Sequence, residues 1–219
     1  MTKSIEPGSI FSVNVSADEK IYGRILFDVD DFLDKSKNKD LKNYFDVFKK
    51  CVLIETFGIV SKEFDVSYLK NVAVKSSFIP VDTISDGEEW ELTNMLIPVS
   101  VGYITFPEVL RFVDGKIYFC VGEVSIPTSF DEVFRDQSGV YPSFGSGYWE
   151  IVATLDYAGR KDLIEDEDDL MECYFKDSDL RESPELRKEI YDAINEDPGM
   201  SYEQLALKHG FNLNKKMDL

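Results

Sequence analysis

Two runs rich in β-branched and aromatic residues, Val109-Leu-Arg-Phe-Val113 and Lys116-Ile-Tyr-Phe-Cys-Val121, are separated only by Asp114-Gly115. Such a pair leaves the chain few choices. Asp-Gly favours the type I′ turn, whose backbone twist matches that of two antiparallel strands. A tight hairpin is therefore predicted here, and similar material recurs upstream. Phe11, Val13 and Val15 alternate with Ser12 and Asn14, the period of two of a half-buried strand. From Lys20 to Asp28, Ile21, Ile25 and Phe27 fall on one side and Tyr22, Arg24 and Leu26 on the other. Gly23 lies on the Ile21 side, where a missing side chain lets another group approach closely. Pro7-Gly8 punctuates the entry, so the two runs predict a second hairpin.

Other elements follow from the same reasoning. Residues 28–40 are polar and charged, a loop with room for a helical turn, and Leu41, Tyr44, Phe45 and Phe48 recur at helical spacing. The apolar run Cys51–Phe57 predicts a central strand. Shorter strands are expected near Val72–Val74, Phe78–Val81 and Leu96–Val101, helical turns over 129–135, and another strand over Tyr148–Leu155. Ser183-Pro184-Glu185 reads as a helix start with Ser183 as N-cap, Leu186, Ile190 and Ile194 as its apolar stripe and Pro198-Gly199 as its stop. Ser201 to Gln204 has capping-box spacing, opening a last helix that Gly210 can close. The expected fold class is α+β. A bent antiparallel sheet or partial barrel with short helices fills residues 1–160, and an acidic linker with a helical hairpin fills 161–219.

Charge bounds the function. The 219 residues hold 42 acids and 24 bases, a formal net charge of −18. A phosphate backbone or an anionic lipid surface would be repelled, so neither nucleic acid nor membrane is an expected partner, whereas a basic protein would be attracted at long range. Residues Lys161–Asp197 alone hold 15 acids and 5 bases. No run approaches the ~20 apolar residues of a bilayer span, and Met1–Phe11 lacks the apolar stretch of a secretory signal. Cys51 and Cys120 sit in apolar runs, and with Cys173 they make an odd, widely spaced set. Buried free thiols in a reducing cytoplasm are expected.

Chemistry-bearing motifs are scarce. The single histidine, His209, falls at the end of the last predicted helix, where it is expected to meet helix carbonyls. No Walker loop, GxGxxG, HExxH or GxSxG occurs, and Glu165-Asp-Glu-Asp-Asp169 lacks the alternation and central glycine of an EF-hand. No cofactor, metal or catalytic residue is assigned, and a non-catalytic binder is the leading reading. Two segments are candidates for its contact surface. The acidic run Glu165, Asp166, Glu167, Asp168 and Asp169 suits a basic partner. The Gly- and Ser-rich stretch carrying Tyr141, Phe144, Tyr148 and Trp149 suits a recognition loop, because aromatic anchors are enriched among binding hot spots. Met200–Phe211 has a superficial likeness to the start of a helix-turn-helix, but Asn212-Leu-Asn-Lys-Lys216 makes a poor recognition helix.

The stretch Glu6-Pro-Gly-Ser-Ile-Phe-Ser-Val-Asn-Val15, with Ile21-Tyr-Gly-Arg-Ile-Leu26 after it, resembles the opening of the immunity protein 26 family. The matching positions are Gly8, Phe11, Tyr22, Gly23, Arg24 and Ile25. The resemblance implies a cytoplasmic antitoxin of a bacterial polymorphic-toxin or contact-dependent inhibition locus. Such a protein binds and neutralises a toxin domain, often a nuclease. Two other classes stay open: a regulatory module that binds an endogenous protein through the aromatic loop, and a hydrolase that uses paired carboxylates. The oligomeric state is not assigned.

Overall fold

The computed structural model describes residues 5–35, 44–131, 133–134, 140–165, 175 and 178–212. The chain divides into two compact units, each drawn from three stretches. One comprises Met1–Asp30, Lys50–Ser100 and Phe144–Cys173; the other comprises Asp31–Lys49, Val101–Ser143 and Tyr174–Leu219.

The first unit is built on a five-stranded antiparallel sheet. Its strands are β1 (Ser9–Asn14), β2 (Lys20–Asp28), β3 (Cys51–Ser61), β4 (Val72–Pro80) and β5 (Trp90–Leu96), in the order β4-β3-β2-β1-β5. The sheet is open, with β4 and β5 at its edges. β2 sits between β1 and β3, and Ile21–Phe27 are buried throughout. The half-buried pattern expected for this strand gives way because both faces are covered. Phe11, Val13, Ile21, Ile25, Val52, Ile54 and Ile79 share a core with Leu155, while Ile10, Tyr22 and Phe57 pack with Phe64, Tyr68 and Leu69 in a second cluster. Arg24 can lie in this buried strand because its cross-strand neighbour is Glu55. The Arg24 Nε–H donates to Glu55 Oε1 at 2.7 Å, and Glu55 is fully buried.

Among the described residues two α-helices complete this unit, α3 (Val81–Ser85) directly after β4 and α4 (Tyr148–Tyr157) against β3 and β4. The strand expected over Tyr148–Leu155 is thus a helix. Its β-branched and aromatic residues suit either state, and tertiary context decides. Ile151 and Leu155, one helical turn apart, reach the sheet core. Glu150 and Thr154 on the neighbouring stripe find hydroxyl partners on Ser77 and Thr56. At the far end the Tyr157 ring occupies the space above Gly58, and its hydroxyl donates to Asn71 Oδ1 at 3.1 Å.

α1 (Val29–Lys35) begins in this unit and ends in the second, which holds α2 (Tyr44–Val47), a three-stranded sheet, and two later helices. The sheet strands are β6 (Val109–Val113), β7 (Lys116–Val121) and β8 (Val124–Pro127), in that order. Asp114 and Gly115 take φ of 50° and 78°, the two positive values of the expected type I′ turn. Tyr44, Phe45, Phe106 and Tyr202 form an edge-to-face aromatic cluster. In α5 (Pro184–Ile194), Arg187 and Tyr191 both bond the buried Glu108 carboxylate. α6 (Tyr202–Lys208) opens with the expected capping box, Ser201 and Gln204 bonding each other's backbone N–H.

Several expectations are corrected. The expected α+β class stands, but in place of one bent sheet or partial barrel the described residues form two antiparallel sheets, of five and three strands, with no closed barrel. The strand placed near Leu96–Val101 lies earlier, at Trp90–Leu96, because Trp90 and Leu92 are the side chains that reach the core. Ser183 precedes α5, yet its side chain makes no capping bond; α5 stops at Asn195 in the left-handed conformation, before Pro198-Gly199. His209 does not spend its ring on helix carbonyls: its Nε2 lies 3.0 Å from Glu196 Oε1. Cys51 and Cys120 are buried free thiols, as expected. No helix among the described residues is long and apolar enough to cross a membrane.

Candidate interaction surface

The aromatic segment is positioned by glycine. Gly147 caps the N-terminus of α4 at φ 94°, a left-handed conformation that costs other residues free energy. A β-carbon on Gly147 would lie 2.6 Å from the Trp90 ring and 2.9 Å from the Thr83 methyl. The Thr83 hydroxyl donates to the Ser146 carbonyl at 3.2 Å. These contacts clamp residues 145–147 onto α3 and the start of β5, and the helix that follows projects the next two side chains. Tyr148 is 39% exposed and meets Trp149 edge-on, with ring centroids 5.4 Å apart; Phe144, just before the clamp, is 45% exposed.

The turn that receives this segment is acidic. Asp82 adjoins Thr83, and Asp86, Glu88, Glu89 and Glu91 lead into and past Trp90; all five are exposed. Glu91 pairs with Lys20 at 3.4 Å. Among the described residues, Asp82, Asp86, Glu88 and Glu89 have no ion-pair partner within 4 Å. The turn is tight: the Asp86 N–H donates to the Asp82 carbonyl, and the Trp90 N–H to the Gly87 carbonyl. Uncompensated carboxylates beside exposed aromatic rings can attract a cation electrostatically and seat its alkyl stem or guanidinium on a ring face.

The structure thus brings together three of the expected aromatics, Phe144, Tyr148 and Trp149, on the first unit. Tyr141, 42% exposed, belongs to the second. Of the acidic run, Glu165 is exposed, whereas Asp166, Glu167, Asp168 and Asp169 lie outside the described residues. Glu165 follows a well-anchored stretch. Leu163 and Ile164 pack on the sheet core, and Arg160 makes a two-pronged ion pair with Glu19 at 2.7 and 3.1 Å. The Arg160 guanidinium holds the Glu19 carboxyl below its ordinary pKa.

The acids of the α3–β5 turn leave only a weak trace in the sequence: between Lys75 and Arg111 there are six acids and no base. That run is less conspicuous than Glu165–Asp169 because its acids are dispersed among apolar residues.

The second unit holds buried polar groups whose geometry is structural. The Asp179 carboxylate accepts from Arg181 and from the Glu108 N–H, and Glu108 in turn ties down Arg187 and Tyr191 of α5. A small recess is lined by Val101, Tyr202, Glu203, Ala206, Leu207 and Phe211. Among the described residues no group of three or more His, Cys, Asp or Glu side chains converges as a metal site would require.

The residues behind the family resemblance have packing roles. Gly8 takes φ of 97°, Phe11 fills the space over Gly23, the Tyr22 hydroxyl donates to the Lys62 carbonyl, and Arg24 pairs with Glu55. No protein-family profile, curated protein or solved structure matches this chain.

Proposed function

We propose that this chain is an immunity protein that binds a basic toxin domain, a nuclease by class, and neutralises it by occupying its substrate-binding cleft. The observation that carries the reading is the clamp between the Phe144–Trp149 segment and the acidic α3–β5 turn. It sets the exposed Phe144 and Tyr148 rings and half-buried Trp149 on the turn that carries Asp82, Asp86, Glu88 and Glu89, four exposed carboxylates with no ion-pair partner among the described residues. An inhibitor of a nucleic-acid-processing enzyme gains from imitating the charge of the substrate, because complementary fields speed encounter and disfavour wrong partners. The net charge of −18 acts in the same direction over longer range. The N-terminal resemblance supplies the class, and the surface supplies the mode.

Co-expression with the toxin encoded beside it tests the proposal. Protection of the cells, with tight binding by calorimetry that weakens as salt rises, is the expected result. Failure to protect together with no heat of binding removes it. Capture of a resident host protein in cells lacking any toxin would instead assign the same surface to an endogenous regulatory partner.

A further inference from the structure

We propose that Glu150 is a protonation-controlled latch beneath the Phe144–Trp149 segment, which holds Tyr148 and Trp149 in place when neutral and frees them when ionised. The inference rests on the reading of that segment as the contact surface, although its test requires no partner.

The geometry is specific. Glu150 lies in the first turn of α4 and is fully buried. Its Oε1 accepts the Ser77 hydroxyl of β4 at 2.5 Å. Its Oε2 is buried and has no hydrogen-bond partner among the described residues. The backbone of the segment runs directly over this carboxyl: a β-carbon on Gly145 would stand 3.2 and 3.4 Å from the two carboxyl oxygens. Gly145 is itself buried, so the carboxyl is sealed by the segment it supports.

Among the described residues no neighbouring element offers a counter-charge. From β4 the facing group is Ser77, and Lys75 of that strand is exposed. From β3 it is the Thr56 hydroxyl, already shared with Thr154. In α3, Asp82 is exposed, and in α4, Asp156 is turned to solvent and paired with Lys161. Residues 144–147 carry no ionisable side chain. Burial pushes the Glu150 carboxyl above its ordinary pKa, and the Ser77 hydroxyl offsets only part of that.

The Ser77 hydroxyl and the residue's own backbone N–H cannot together replace the hydration of a carboxylate. Losing the proton therefore requires that water enter or that the side chain swing outward. Either movement displaces Gly145–Gly147, whose contacts with Trp90 and Thr83 fix the direction in which Tyr148 and Trp149 leave the surface. Affinity for a basic partner should accordingly fall on the alkaline side.

The test follows the indole NMR signals of Trp149 and Trp90 across pH in the full chain, assigned with Trp149→Phe and Trp90→Phe. Wild type should show a transition centred above the usual carboxylate range. Glu150→Gln should lack it, and Ser77→Ala should retain it at higher pH, because the donor that favours the ionised form is gone. The same transition in Glu150→Gln, or none in wild type below the pH of unfolding, overturns the latch. Should Glu150→Gln fail to fold, the Ser77→Ala displacement and the infrared band of a protonated buried carboxyl in wild type decide the matter. A chain that shows the transition but binds no basic partner refutes the proposed function alone. One that binds while its indoles ignore pH refutes the latch alone.

Discussion

The Phe11 ring occupies the space a side chain would need at Gly23: a β-carbon there would lie 2.2 Å from Phe11 Cζ and 2.4 Å from the Glu55 carbonyl oxygen. The two residues are direct cross-strand partners in β1 and β2. Phe11 also leans on Trp90 of β5, with centroids 5.2 Å apart. One glycine thus makes room for an aromatic ring that reaches β2 and also meets Trp90 of β5. Gly23→Ala must push either the ring or the β3 backbone aside, and overpacking of this kind costs about 1–3 kcal/mol. Urea unfolding should show a lower midpoint with an unchanged slope.

Arg24 and Glu55 extend the same stretch of β2 into an ion pair withdrawn from water. Arg24→Met leaves the Glu55 carboxylate buried beside an apolar chain, a change expected to cost about 3–5 kcal/mol. Replacing both, as Arg24→Met with Glu55→Leu, should recover most of that loss, since well-packed apolar pairs often equal buried ion pairs in stability. Chemical denaturation of the two single variants and the double variant checks this. A double variant as unstable as Arg24→Met would mean that the pair does more than neutralise itself.

Elements specified by local chemistry were legible in the sequence. The Asp114-Gly115 turn and the Ser201–Gln204 capping box each depend on a few adjacent residues, and both stand as expected. The β1–β2 hairpin and the β3 strand were readable from alternation and an apolar run. α4 was not, because its residues suit either state and the deciding partners, Ser77 and Thr56, are over seventy residues away in sequence. For the same reason the proposed contact surface was half legible. Exposed aromatics could be named from composition, whereas their acidic neighbours depend on a clamp between Gly147 and Trp90 that only folding creates.

Glu196 gives the second unit an acid-sensitive tie. Its carboxylate accepts from Lys208 Nζ at 2.7 Å and lies beside His209, joining the end of α6 to the turn after α5. The Lys208 bond, with a smaller effect from His209, lowers its pKa. A depressed folded-state value means stability that is fully present above the ordinary glutamate pKa and lost as pH falls through the lower folded-state value. Glu196→Gln should therefore unfold more easily than wild type at neutral pH, by about 0.5–1 kcal/mol given the exposed lysine. The two should converge in acid.

Glu150 has the opposite sign. Its raised value means that the folded state holds a proton which the unfolded chain has already released. Stability is fullest below the ordinary glutamate pKa and falls as pH rises toward the folded value. Glu150→Gln removes this slope, so its melting temperature should change less than that of wild type between acid and neutral pH. Parallel thermal melts of the two across that range would contradict the assignment of a buried neutral acid.

Charge and aromatic contact on the proposed surface should separate kinetically. Asp82, Asp86, Glu88 and Glu89 act at a distance, so reversing three of them, as Asp86→Lys, Glu88→Lys and Glu89→Lys, should slow association about tenfold or more at low salt and flatten its salt dependence. Trp149 and Tyr148 act only on contact. Trp149→Ala should leave association nearly unchanged and speed dissociation, a loss on the order of 2 kcal/mol if the ring is an anchor. Stopped-flow mixing with the toxin domain over a range of salt reads both effects. The contrast matters because a non-specific acidic surface would show the charge effect alone, while a specific inhibitor must show both. Trp149→Ala without effect on dissociation, alongside a strong response to charge reversal, would reduce the clamp to a carrier of charge and move the contact surface elsewhere.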